Sequence, residues 1–213
     1  MTPNLKRRIL FATKNPGKFQ EFKKTFEKLS TDHEIVSYND LPYAVPDCEE
    51  KGATFEENAL LKARNARSHL KNPEKDMIVV ADDSGMEIDC LGGEPGVRTR
   101  RWAGHEMTDD EIIEYCLDKL RGEKDRSASY VSCFAISLPD GTEKTILDRS
   151  RGTILQAPRN SSQLVGMPFR SLFFVPELNI MFHEVRDLSP ADRRGYKLGH
   201  EEAIQQIIQF LAR

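Results

Sequence analysis

Several common protein classes leave marks that this sequence does not carry. Its four cysteines, Cys48, Cys90, Cys116 and Cys133, are far apart and form no C-x-x-C pair. That argues against a zinc knuckle and fits reduced thiols in a cytosol. No apolar run approaches the length needed to span a bilayer, so no membrane partner is expected. Residues 1–8 are polar and basic with no apolar stretch behind them, so no signal peptide is expected and the location expected is cytoplasmic. Neither sign of charge dominates: 31 Lys and Arg stand against 34 Asp and Glu, a net charge of −3. A general attraction to nucleic acid is therefore not implied. There is no internal repeat and no low-complexity segment. With 213 residues, 38% hydrophobic and 31% charged, the composition is that of a soluble globular protein. One compact domain over residues 1–213 is the simplest expectation.

The stretch that organises the rest is MIVVADDSGMEIDC, residues 77–90. It reads as an apolar strand over 77–81, an acidic turn at Asp82, Asp83, Ser84 and Gly85, then an alternating strand over 86–90. Carboxylates at the carboxyl end of a buried strand suit divalent-metal and phosphate chemistry. The same residue types also favour plain solvated turns, so both readings stand.

Earlier in the chain, residues 8–13 read as a strand. Lys14, Asn15, Pro16, Gly17 and Lys18 follow, then a helical repeat through Phe19, Phe22, Phe26 and Leu29. A strand, a glycine-containing turn and a helix start form a phosphate-binding geometry with a lysine beside it. It is equally a good turn with a solvated lysine. It is not a P-loop, because Ala12 and Phe19 stand where that motif needs Gly and Ser or Thr.

Residues 34–37 are a weak strand. Thr54 and Glu57 form a capping box that opens a helix to about residue 70, with Ala59, Leu60, Ala63 and Ala66 inward. Glu57, and Glu56 beside it, are thereby explained; Glu49 and Glu50, before the helix, are not. Lys62 and Arg64 read by pattern alone as surface charges. Thr108 and Glu111 form a second capping box, leading Ile112, Ile113, Cys116, Leu117 and Leu120 inward. Residues 129–138 and 142–147 read as a hairpin, which 152–155 could extend. A polar loop covers 157–170, a strand 172–175, a helix start 189–192, and an amphipathic helix 201–211.

These stretches together resemble the noncanonical purine nucleoside triphosphate pyrophosphatases, the Ham1-like group of inosine and xanthosine triphosphatases. The resemblance rests on T-x-N-x-x-K at Thr13, Asn15 and Lys18; on EEKGATFEENA with Lys62 and Ala63; on ADDSG at 81–85; and on LGGEPGV at 91–97 and FFVPE at 173–177. It implies an α/β fold with a long central mixed β-sheet flanked by helices, two lobes with the active site in the cleft between them, and a homodimer. It also implies Mg²⁺-dependent hydrolysis of a nucleoside triphosphate to the monophosphate and pyrophosphate. By this resemblance Thr13, Asn15 and Lys18, with Lys14, Pro16 and Gly17 around them, hold the triphosphate, and Lys62 and Ser84 contact substrate. Glu50, Asp82 and Asp83 form the metal site. Asp83 also orients or deprotonates the attacking water, and Lys18 stabilises the departing pyrophosphate. Chemically this is coherent, since Mg²⁺ takes one or two carboxylates plus phosphate oxygens.

On the base side the sequence departs from the family. Where the family carries G-F-G-[YW]-D-P, this chain has Gly166, Met167, Pro168, Phe169, Arg170 and Ser171, so an aromatic becomes Met167 and an acid becomes Arg170. Where the family carries S-H-R-G, this chain has Tyr196, Lys197, Leu198 and Gly199, with Arg193 upstream. Altered base preference is expected. Two other functions remain open: a pyrophosphatase for standard or modified pyrimidine nucleotides, and a nucleotide-binding module without catalysis.

Overall fold

A computed structural model describes residues 7–159 and 164–213. Residues 1–6, and residues 160–163 of the loop expected over 157–170, lie outside the described residues. In chain order the elements are β1 (Arg7–Phe11), α1 (Pro16–Leu29), β2 (His33–Val36), α2 (Phe55–His69), β3 (Ile78–Ile88), β4 (Pro95–Gly96), α3 (Asp109–Lys119), β5 (Ser127–Ser137), β6 (Glu143–Ile154), β7 (Phe173–Val175), β8 (Ile180–Met181) and α4 (Gly199–Leu211). The strands form one sheet in the order β2-β1-β3-β5-β6-β7-β8, with β4 paired to β3. β1 runs parallel to β2 and β3, whereas β6–β7 and β7–β8 are antiparallel. The fold is thus the mixed α/β sheet with flanking helices that the sequence led us to expect.

The chain forms two compact units, to both of which β3, β5 and β6 contribute residues. The first comprises the residues up to Asp83, with Ser132–Asp148 and Glu201–Arg213. Its core gathers Ile9, Phe11, Phe22, Phe26, Ile78, Val80, Phe134, Ile204 and Ile207. Phe22 and Phe26 are four residues apart, so both lie on the inward face of α1. The Phe11 ring stacks on Phe22 at 4.1 Å between centroids. Arg67 donates to the carbonyls of Met77 at 2.7 Å and Ser137 at 2.5 Å, so one guanidinium satisfies backbone groups before β3 and at the end of β5.

The second unit comprises Ser84–Val131 and Arg149–His200. Met86, Ile88, Ile112, Cys116, Leu120, Phe169 and Phe173 make its main core, and Val175, Val185 and Leu198 a smaller one. The second expected capping box is present. Thr108 Oγ1 accepts the Glu111 N–H at 3.3 Å, and the Glu111 carboxylate accepts the Thr108 N–H at 2.7 Å. Gly152 is required where β6 meets β7, because a Cβ there would stand 2.6 Å from the Phe174 carbonyl oxygen. None of the four cysteines is in a disulfide, and burial pushes the Cys116 and Cys133 thiols up to about 12. Among the described residues no helix is long and apolar enough to cross a membrane.

Four local expectations are corrected. Asp82, Asp83, Ser84 and Gly85 do not turn: β3 is one continuous strand through them. It lies inside the sheet between β1 and β5, where backbone groups must find partners, and that requirement overrides local turn preference. Likewise β6 is a single strand over Glu143–Ile154 rather than two pieces. Glu57 reaches past the cap residue: its carboxylate accepts the Ala53 N–H at 2.6 Å, while Thr54 Oγ1 accepts the Glu57 N–H at 3.1 Å. Ser189 does accept the Asp192 N–H at 3.2 Å, yet no helix follows. Arg194 (φ 51°) and Gly195 (φ 84°) turn left-handed, which keeps the residues after Ser189 from going on into a helix.

His33, on β2, packs edge-on to Phe26 at 5.8 Å, and neither ring nitrogen has a hydrogen-bond partner. Burial, then the charge of Arg7, holds its pKa below the ordinary histidine value. The unfolded chain therefore takes up this proton first as pH falls, and folding stability drops as pH passes down through about 6.5. The stability difference between His33→Leu and the wild type, measured by urea unfolding, should shift in favour of the variant between pH 7.5 and pH 5. A difference independent of pH would contradict this reading.

Candidate active site

On the first unit, β1 stops at Phe11, the partner of Val80, and the Ala12 N–H closes the pairing on the Val80 carbonyl at 2.7 Å. β3 runs on past that end, carrying Asp82 and Asp83. In open α/β sheets ligands collect at such carboxyl ends. Here the end is that of β1, not of β3 as the sequence suggested.

The short link after β1 is built by its own side chains. Thr13 Oγ1 accepts the Asn15 N–H at 3.2 Å, and Asn15 Oδ1 accepts the Lys18 N–H at 3.1 Å. Asn15 is therefore the N-cap of α1, and Pro16, whose fixed φ suits the first helical position, begins it. Gly17 and Lys18 fall in the first turn of the helix rather than in a loop. Lys18 Nζ reaches Asp82 Oδ2 at 2.7 Å. Lys14 points elsewhere, to Asp47 at 2.5 Å, with both side chains more than half exposed. Such a surface pair contributes at most about 1 kcal/mol, and nothing in it draws Lys14 toward the carboxylates.

Asp82 and Asp83 are 8% and 7% exposed, so each needs partners. Asp83 Oδ1 accepts from Lys62 Nζ at 3.0 Å, and Oδ2 from Asn58 Nδ2 at 3.3 Å. Lys62 Nζ also donates to the Asp82 carbonyl at 3.1 Å and pairs with Glu50 Oε2 at 3.0 Å. Burial pushes the Asp83 carboxyl above the usual carboxylate range, against the opposing pull of Lys62.

Asn58 is the residue that the sequence reading missed. It is 2% exposed, and its Oδ1 accepts the Gly52 N–H at 2.8 Å. Through it the segment that carries Glu50 is tied to Asp83. A Cβ on Gly52 would lie 2.7 Å from both Asn58 Oδ1 and Glu57 Cβ, so only glycine allows this approach. A signal was available: Asn58 falls between Phe55 and Ala59 on the inward stripe of α2, and a polar residue there must have a partner. Lys62 lies four residues on, on the same face. Arg64, two further, is half-exposed and pairs with Glu143 at 2.6 Å.

The remaining expected residues belong to the second unit. Ser84 Oγ accepts from the Tyr130 hydroxyl at 3.2 Å. Met167 and Arg170 are half-buried on a short 3₁₀ turn, and Lys197 is exposed. Phe169 and Arg193 are both buried in this unit. Phe169 is 7% exposed and packs in the core near Trp102, at 6.4 Å between ring centroids. Arg193 is 8% exposed and its guanidinium donates to the carbonyls of Val185 at 3.1 Å and Arg186 at 3.2 Å. A buried guanidinium has to satisfy its donors nearby, which makes Arg193 a brace for residues 182–187.

Among the described residues, no three His, Cys, Asp or Glu side chains converge closely enough to hold a metal ion. The acidic set is divided instead: Asp82 is held by Lys18, and Glu50 and Asp83 by Lys62. The donor chemistry of that second pair still fits a hard cation, since two carboxylates already hold one positive group between them. Mg²⁺ commonly takes only one or two protein carboxylates and completes its shell with phosphate oxygens and water.

The chain as a whole is similar to known proteins. The model of the Ham1 family matches residues 9–189. A dITP/XTP pyrophosphatase of Oceanobacillus iheyensis is 43% identical over 208 residues, which cover 96% of this chain and 98% of that protein. One from an Exiguobacterium species is 36% identical, covering 96% and 98%. The Ham1 protein of Staphylococcus aureus superposes with a TM-score of 0.72 at 32% identity, covering 97% of this chain and 98% of that one. A HAM1 protein from Coxiella burnetii gives 0.74 at 29% identity, with the same coverage. Likeness at this level over nearly the whole length places the chain in the Ham1 family.

Proposed function

We propose that the protein hydrolyses noncanonical purine nucleoside triphosphates, such as the dITP and XTP for which its relatives are named, to the monophosphate and pyrophosphate. The observation that carries this reading is the buried Asp83 carboxylate, held on one oxygen by Lys62 and on the other by Asn58. A carboxylate whose direction Asn58 fixes, and whose proton affinity burial raises, suits a group that takes a proton from water. Lys18 and the N-terminus of α1 offer the positive charge that a triphosphate tail needs. Glu50 and Asp83 would hold Mg²⁺, whose charge offsets that of the phosphate oxygens.

In this mechanism Asp83 orients a water molecule toward the α-phosphorus and accepts its proton. The new P–O bond forms as the bond to the bridging oxygen breaks, and pyrophosphate leaves with that electron pair. Lys18 steadies the growing charge on the leaving group. Asp83→Asn keeps shape but loses the base, so it should remain folded by circular dichroism while kcat falls roughly 10²–10⁴-fold. Near-normal turnover would remove Asp83 from the chemistry.

A second reading concerns selectivity, and its motive is the base-side segment. Arg170 reverses the charge that the family carries there, Arg193 donates to backbone carbonyls, and Lys197 is an exposed cation. A site without fixed, paired polar readers loses discrimination worth about 1–3 kcal/mol per hydrogen bond. Preference for ITP and XTP over GTP and ATP should therefore be weak, measured as the ratio of kcat/KM values. A preference on the order of 100-fold over GTP would contradict this.

A further inference from the structure

Lys62 carries more than a phosphate-side cation needs. Its side chain is 17% exposed, and its ammonium meets three oxygens: Asp83 Oδ1 at 3.0 Å, Glu50 Oε2 at 3.0 Å and the Asp82 carbonyl at 3.1 Å. An ammonium has three hydrogens to donate, and these three acceptors can use them all. Two of the three belong to the carboxylates assigned above to the metal.

We propose that Lys62 is a built-in counter-cation for Glu50 and Asp83, one that a divalent ion must displace, so that metal binds well only together with the triphosphate. The inference rests on the assignment of Glu50 and Asp83 under the proposed function. Its physical basis is the cost of leaving a mostly buried charge without a partner. Mg²⁺ arriving alone evicts the ammonium from two carboxylates and offers it nothing in return. Mg²⁺ arriving with a triphosphate brings anionic oxygens that can take the ammonium over. Metal and nucleotide affinities are then coupled, and by linkage each strengthens the other by the same factor. Without Lys62 the carboxylates would face each other uncompensated, and Mg²⁺ alone would be the cation that relieves them. Asn58 serves a different need: it is neutral and cannot balance the charge, only fix the direction of the Asp83 carboxylate.

The test follows melting temperature against MgCl₂, alone and with the non-hydrolysable α,β-imido inosine triphosphate, in the full chain. Wild type should respond weakly to MgCl₂ alone and strongly to MgCl₂ with the analogue. Lys62→Met, and Lys62→Gln should Met fold poorly, should reach half-saturation with MgCl₂ alone at a concentration at least tenfold lower than wild type. Their response should also depend less on the analogue. Arg64→Met removes the same charge from the same helix without touching the carboxylates, and should leave the MgCl₂ response unchanged. A Lys62 variant needing as much MgCl₂ as wild type overturns the inference, as does an equal gain in Arg64→Met. Variants that fold only with added MgCl₂ support it. If wild type fails to bind Mg²⁺ even with the analogue, the metal assignment falls and this inference with it. Binding in wild type without a gain in the variants removes this inference alone.

Discussion

A carboxylate in the interior of a strand must be compensated where it stands, and that need at Asp83 shapes the surroundings of the candidate site. The compensation comes from α2, which turns Asn58 and Lys62 inward one helical turn apart. It extends to the segment before that helix, where the Gly52 N–H fixes the far side of Asn58. Breaking a buried pair of this kind by removing one partner costs about 3–5 kcal/mol, several times the most an exposed pair such as Lys14–Asp47 contributes. Lys62 therefore matters to the integrity of the site in a way that Lys14 does not. The alanines at 59, 63 and 66 serve the same end, since small side chains let α2 lie close enough for Lys62 to reach β3.

Much of this fold was legible because it follows from periodicity. The inward faces of α3 and α4, Phe22 and Phe26 on α1, the cap at Thr108 and the hairpin between β5 and β6 all follow spacings that carry their own physical meaning, whereas Leu29, at the end of the α1 repeat, is exposed. What was not legible depends on neighbours in space. Asp82 to Gly85 have the composition of a turn, and only the pairing of β3 within the sheet keeps them extended. Ser189 and Asp192 make a genuine cap, but the residues after it close the turn before a helix can grow.

The site divides along the same line. Lys18, Asp82 and Asp83 stand out in sequence because their types suit phosphate and metal chemistry. Asn58 does not, because its role is to hold another side chain, and only its position on an apolar stripe betrays it. Lys62 looks like a surface charge until the depth of its carboxylate partners is known. Phe169 and Arg193 occupy suggestive positions in the chain, and only the structure shows how deeply the second unit packs them.

In the proposed mechanism, water held by Asp83 attacks the α-phosphorus. Hydrolysis of inosine triphosphate in water enriched in heavy oxygen, with the products weighed by mass spectrometry, addresses that bond directly. Attack at the α-phosphorus puts one heavy oxygen in the monophosphate and none in the pyrophosphate. Label in the pyrophosphate, or release of the diphosphate with orthophosphate, would place the attack elsewhere and contradict that mechanism.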